Sequence, residues 1–243
     1  MVIGRKTIGT VGYMGGIMAP PEPFTKAWGD MIQYNYEYLL QPTERISYTR
    51  ATVSYHAFAR DSLIDEMRGD WILMLDTDVI FEPDVVALML HKMHEYDIDV
   101  LVGIYPYKGA LHAPVLYGYN PKTDKRFIVG DWDKRFDVIE CDGAGAGCLM
   151  IKRSVVQKIK ASGESLFAII PPNSEDNSFF MRCRKLGIKT YFSPNIKLKH
   201  LMYRQLSIDE DYPQKDRIVK REGTTYGSSA SLAAQKKLDK TSL

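Results

Sequence analysis

Only three cysteines, Cys141, Cys148 and Cys183, occur among 243 residues, and no CxxC spacing joins them. An odd, unclustered count argues against a disulfide framework or a cysteine zinc site and fits a reducing, cytoplasmic setting. Long apolar runs are missing too. No stretch is long enough to cross a bilayer, and the N-terminal MVIGRKTIGTVGYMGG lacks the apolar region of a secretory leader. There is no excess of one charge: the formal net charge is +2, which speaks neither for nor against a nucleic-acid partner. No internal repeat is visible. The glycine signatures of nucleotide folds are also missing. The loop GYMGGIMAPPEP after the first apolar segment is neither GxGxxG nor a P-loop, so a dinucleotide or Walker site is a poor reading. What remains is ordinary for a globular chain, 45% hydrophobic and 26% charged, at a length that suits one α/β domain.

The most informative stretch is GDWILMLDTDVIFEPD, Gly69 to Asp84. A short apolar run, Trp71 to Leu75, stops abruptly at Asp76-Thr77-Asp78, as a buried parallel strand does. In an open α/β sheet, ligands gather beyond the carboxyl ends of such strands. Two carboxylates there suit a hard divalent cation, Mg²⁺ or Mn²⁺. The alternative is a strand end with two solvated aspartates.

Around this stretch the pattern alternates. Strands are expected at Lys6–Val11, Arg45–Thr49 and Asp99–Ile104, and helices at Phe24–Leu40, Tyr55–Met67 and Asp84–Tyr96. Gly69 is expected as the C′ glycine of the second helix. Such alternation predicts an α/β fold with a mostly parallel central sheet flanked by helices. After Tyr105 the helices drop out, and Pro114–Tyr119, Arg126–Val129 and Phe136–Cys141 read as a small antiparallel sub-sheet. Then follow a Gly-rich strand in DGAGAGCLMIKRSV, a helix opening at Ser174-Glu175-Asp176, and two last strands, Ile188–Phe192 and Asn195–Leu201. Period-two alternation turns Ile196, Leu198 and His200 inward and Lys197 and Lys199 outward. His200 is then either a satisfied core histidine or a ligand beside the aspartates. SED is either an N-cap with an acidic first turn or a positioned carboxylate. Gly143, Gly145 and Gly147 mark either a bulge or room for a ring lying against the strand. Trp132 and Asp133 sit on a loop where they either orient an acceptor or pack locally.

Taken together, ARDSLIDEM, WILMLDTDVIFEP, GAGAGCLMIKRSV, SEDNSFFMRCRKLG and the strand ending in KLKHL resemble the GT-A fold glycosyltransferases, particularly inverting family-2-like enzymes and their phage-encoded relatives. The resemblance spans about residues 6 to 205. It implies a hexosyltransferase that moves a sugar from a UDP- or GDP-sugar to a glycan, protein, lipid-linked sugar or modified DNA. It implies Asp76, Asp78 and His200 as ligands of Mn²⁺ or Mg²⁺, and Asp176, with Glu175 beside it, as the catalytic base. Donor contacts would come from Thr10, Gly12, Tyr13, Arg60, Asp61, Asp76, Thr77, Gly145 and Gly147. Asp61 stands where the family carries Asn, and the family's Pro-x-Tyr-Asn run after the first strand is replaced by the segment holding Thr10, Gly12 and Tyr13. The implied organisation is a domain over 1–208, with a nucleotide-binding half (1–105) and an acceptor half (106–208). A polar tail or lid at 209–243 carries Lys215, Arg217, Lys220 and Arg221. The competing readings are a haloacid-dehalogenase-like phosphatase, a sugar-1-phosphate nucleotidyltransferase and a non-catalytic nucleotide- or glycan-binding module. In the phosphatase DxD closes the first strand, whereas here two strand–helix units precede it. The nucleotidyltransferase's N-terminal Gly-rich signature with an Arg is missing.

Overall fold

Strand β3 (Trp71–Asp76) lies inside the main sheet, and alternate side chains along it define two cores. Ile72 and Met74 point to one face and Leu73 and Leu75 to the other, and all four are fully buried. The same alternation runs through its neighbours, so one continuous sheet is covered with helices on both sides. The computed structural model describes residues 5–16, 18–53, 55–108, 113–120, 122, 125–129 and 135–202. Trp132, Asp133 and the expected tail or lid at 209–243 fall outside the described residues.

In chain order the elements are β1 (Lys6–Met14), α1 (Glu22–Tyr34), β2 (Glu44–Ala51), α2 (His56–Asp65), β3, β4 (Val79–Ile80), α3 (Val85–Glu95) and β5 (Val100–Ile104). Then come β6 (Leu116–Asn120), β7 (Lys125–Ile128), β8 (Ile139–Glu140), β9 (Gly143–Ala144), β10 (Cys148–Lys152), α4 (Arg153–Ala161), α5 (Glu175–Lys185), β11 (Tyr191–Lys197) and β12 (Lys199–His200). The main sheet has seven strands in the order β2-β1-β3-β10-β5-β11-β8. Its β2, β1, β3, β5 and β11 run one way, whereas β10 and β8 are reversed. This is the mostly parallel sheet the alternation predicts. One core gathers Leu63, Val155, Ile159 and Phe179 from α2, α4 and α5. The other gathers Phe24, Met31, Val86 and Met89 from α1 and α3.

Four details depart from the sequence reading. The first helix does not run smoothly to Leu40: a π turn, Asn35–Leu39, follows α1, and its last carbonyl contact is Leu40 N–H to Asn35 O at 2.9 Å. Gly69 is not a helix cap. Helix α2 has already ended at Glu66, and Gly69 has φ +74° at the entry to β3, where a Cβ would lie 2.3 Å from the Ile8 backbone. Of Phe136–Cys141 only Ile139–Glu140 is extended, and it pairs with β11 in the main sheet rather than with the small one, whose order is β7-β6-β9. The two last strands are one irregular strand, β11, plus the two-residue β12.

The cysteines serve packing. Burial pushes the thiols of Cys141, Cys148 and Cys183 up to about 12. Since the thiolate is the reactive form, no thiol of the native chain is expected to react rapidly with a disulfide reagent at pH 8, while all three should react in guanidinium. One stoichiometric fast thiol in the native state would contradict this. No helix among the described residues is long and apolar enough to cross a membrane.

Candidate functional site

The residues singled out by DTD, SED and the late histidine come together at one end of the sheet, and two small pieces of structure bring them there. The first is the pairing of β4 with β12, which sets His200 opposite Val79 and Lys199 opposite Ile80. Leu201 N–H donates to Asp78 O at 2.7 Å, which closes the register. His200 Nε2 therefore stands 3.4 Å from Asp78 Oδ2. His200 Nδ1 lies 2.8 Å from the Pro106 carbonyl, an acceptor only, so Nδ1 carries a proton and Nε2 is the ring nitrogen that faces Asp78. The Tyr105 ring meets the imidazole edge-on, with centroids 5.0 Å apart. The ammonium of Lys108 also donates to Asp78 Oδ2. The inward phase expected for His200 is present: Ile196 and Leu198 are buried, and Lys197 and Lys199 are exposed.

The second piece is the guanidinium of Arg60, on α2. It is 2% exposed, yet it reaches three separate segments. Its Nη2 donates to both oxygens of Asp76, at 3.0 and 3.3 Å. Nη1 donates to the Ala146 carbonyl at 2.9 Å. Nε lies 3.6 Å from Glu175 Oε1, beyond hydrogen-bond reach. Burial works against the charge on Arg60, but Asp76, Glu175 and Asp176 outweigh it and hold its proton more tightly than usual. Burial pushes the Asp76 carboxyl up, Arg60 pulls it down, and Asp78 adds to the upward push.

Helix α5 starts at this cation. Glu175 and Asp176 form its acidic first turn, where free N–H groups and the helix dipole favour negative charge. Ser174 stands at the N-cap position, but its hydroxyl donates to Asp176 Oδ1 and accepts from the Asn177 side-chain amide rather than from a backbone N–H of the helix. Asn177 N–H donates to the same oxygen at 2.6 Å. One oxygen of Asp176 is thereby fixed from two sides.

Tyr105 is the main residue that the sequence reading missed. Its hydroxyl accepts from Gly147 N–H at 2.9 Å, and the residue is 8% exposed. Burial raises the phenol well above its ordinary range, Asp76 adds to this, and the Gly147 bond opposes it, so it stays neutral. The room left by the glycines holds this phenol. A Cβ on Gly145 would lie 2.1 Å from the Tyr105 oxygen, and one on Gly147 2.8 Å from it. On Gly143 the nearest atom would be 3.6 Å away. Gly145→Ala is therefore expected to cost about 1–3 kcal/mol by overpacking, while Gly143→Ala is expected to be nearly neutral. Chemical denaturation of both variants checks this, and equal stabilities would contradict it. The strand-end rule that picked out Asp76 would also have picked out Tyr105, which directly follows β5. Lys108 and His56, whose Nδ1 is 3.7 Å from Glu175 Oε1, carry no sequence signal.

The other residues expected to meet the donor make these contacts within the protein. The Thr10 hydroxyl bridges the backbone N–H and carbonyl of Arg68, at 2.7 and 2.9 Å. Gly12 leaves room for Leu63 and Thr49. Tyr13 packs edge-on against Trp28, centroids 4.8 Å apart. Asp61 accepts from Ser165 Oγ and from Phe167 N–H, the latter at 3.2 Å. Thr77 lies between the two aspartates in the turn after β3. Among the described residues no three Asp, Glu, His or Cys side chains cluster as a ready metal site. Asp78 and His200 form a two-donor pair, while both oxygens of Asp76 face Arg60.

Comparison with known proteins adds the following. The model of the family described as "Glycosyl transferase family 2" matches residues 35–160, more than half of the chain. Among solved structures, GalNAc-T7 with UDP, GalNAc and Mn²⁺ is similar over 82% of this chain, at 11% identity and a TM-score of 0.52. This chain spans 44% of that one, and the likeness is one of fold, GT-A. The structure of A197 from STIV is similar over 82% of this chain and 96% of its own, at 18% identity and a TM-score of 0.46. No curated protein matches the chain.

Proposed function

The chain belongs to glycosyl transferase family 2, and from that premise we propose that it transfers a sugar with inversion from a UDP- or GDP-sugar to an acceptor hydroxyl, aided by a divalent cation. The observation that carries this reading is the facing pair of Asp78 Oδ2 and His200 Nε2, 3.4 Å apart, with the imidazole proton committed to Pro106. Two donors beside each other on an octahedral ion at ordinary bond lengths stand about 3 Å apart, so the pair fits a shared cation. The mixed carboxylate–imidazole set suits Mn²⁺ at least as well as Mg²⁺. The Asp78 oxygen already accepts a cation, the ammonium of Lys108. A bound divalent ion would supply Lewis-acid stabilisation of the leaving diphosphate.

The other roles belong to the chain's own groups. Asp176 takes the proton of the acceptor hydroxyl as the new bond forms, through whichever oxygen Ser174 and Asn177 leave free. One displacement without a covalent intermediate inverts the anomeric centre. Asp76, held by Arg60, forms the floor between the donor diphosphate and the start of α5. Tyr105 fixes the Gly-rich strand by accepting from Gly147 N–H. Residues 1–105 would supply the nucleotide side and 106–208 the acceptor side. The acceptor classes in view remain a glycan, a protein, a lipid-linked sugar and modified DNA.

The test is hydrolysis of a panel of UDP- and GDP-sugars with and without Mn²⁺, alongside p-nitrophenyl phosphate. Metal-dependent release of nucleoside diphosphate is expected. Phosphate release from p-nitrophenyl phosphate would favour a phosphatase, and binding without turnover would favour a non-catalytic module.

A further inference from the structure

The Arg60 side chain touches three of the segments singled out by the sequence: the DTD strand end, the Gly-rich strand and the start of the SED helix. We propose that Arg60 is a positioning residue that locks the donor half of the site to the catalytic helix, acting through Asp76, the Ala146 carbonyl and Glu175 and touching neither donor nor acceptor. The turnover part of this proposal rests on the transferase reading above.

Three observations carry it. The first is burial: at 2% exposure the guanidinium has no face left for a ligand. The second is geometry. Its three nitrogens address three different segments, which a planar fork does and a single ammonium cannot. The Nε hydrogen has no hydrogen-bond partner, so the charge of Glu175 at 3.6 Å is what Nε faces. The third is the neighbouring residue. Asp61, the departure from the family's Asn, accepts the Phe167 N–H and a bond from Ser165, and the Phe167 ring lies 5.8 Å from the Arg60 guanidinium. Two consecutive residues of α2 thus hold the approach to α5, one through the Ser165–Phe167 loop and one through Glu175.

The Asp78–His200 pair is instead held by the β4–β12 register and Pro106, with no contact to Arg60. The proposal therefore separates two quantities. Loosening Arg60 lets the base drift from the reacting carbon while the metal-side donor site stays intact. A displacement of about 1 Å costs on the order of 10²-fold in rate.

The experiment uses Arg60→Lys, Arg60→Gln, Glu175→Gln and the Arg60→Lys/Glu175→Gln double variant. Turnover is followed with whichever UDP- or GDP-sugar the wild type hydrolyses, binding by titration of UDP or GDP with Mn²⁺, and stability by thermal melting. The expected result is a kcat lower by roughly 10²-fold in Arg60→Gln, partly restored in Arg60→Lys, with donor KM and nucleotide affinity within about threefold. The double variant should lose little more than the worse single one, because both act on one contact. A KM that rises in step with the fall in turnover would make Arg60 a donor ligand and overturn the proposal. Unchanged kcat, or additive losses, would also overturn it. If no wild-type turnover is found, the transferase reading fails by itself, and the melting-temperature cycle decides for Arg60: coupling supports the lock and additivity refutes it. If neither Arg60 variant folds, Glu175→Gln decides alone, since lower kcat at constant KM supports the lock and no change refutes it.

Discussion

Asp176→Asn is expected to slow sugar transfer by about 10²–10⁴-fold, the usual cost of removing a general base, with folding and donor binding retained. The substitution keeps the shape of the side chain. An amide oxygen still accepts the hydroxyl of Ser174 and the N–H of Asn177, the two contacts that fix the native carboxylate. What it removes is a group able to take a proton at the first turn of α5. The loss should therefore fall on kcat, with donor KM little changed. Glu175→Gln should cost less, because Glu175 faces Arg60 and His56 and acts through them. The measurements are transfer rate with a working acceptor, melting temperature and the anomeric configuration of the product. Near wild-type transfer by Asp176→Asn, or a product that retains the donor configuration, would exclude this base.

The two aspartates of DTD should behave differently. Asp78→Ala and His200→Ala are each expected to weaken Mn²⁺-dependent nucleotide binding by roughly 100-fold or more, since losing even an outer-shell partner of a metal costs about 10–100-fold. Both should fold. Asp78 is 38% exposed, and His200 contributes one edge-on ring contact and one bond to Pro106. Asp76→Ala should instead act on the fold, by about 3–5 kcal/mol, because it leaves the buried Arg60 guanidinium without its closest charged partner. Nucleotide titration and denaturant unfolding of the three variants separate these effects. If all three lose binding equally and none loses stability, Asp76 is a metal ligand and not a structural anion.

The sheet was legible because burial on both faces writes strands as unbroken apolar runs, and WILMLD is such a run. The inward turn of His200 was legible from period two. What periodicity does not carry are the short and irregular pieces: the two-residue β4, the left-handed turn at Gly69 and the π turn after α1. Of these, β4 matters most, because its pairing with β12 is what brings His200 to Asp78. Long-range partners were equally hidden. The resemblance made Arg60 a donor contact, and nothing in the sequence announced that its side chain reaches residues 16 and 86 positions away. The Gly-rich strand read as either a bulge or room for a ring, and the room at Gly145 and Gly147 holds Tyr105, which its place at the end of β5 could have announced.

The most direct measurement is calorimetric titration of the wild-type chain with UDP and with GDP, in Mn²⁺ and again in EDTA. The Asp78–His200 pair predicts saturable binding of one nucleotide in Mn²⁺, lost or weakened by at least about tenfold in EDTA. Binding of equal strength in both, or of neither nucleotide in Mn²⁺, would contradict the account.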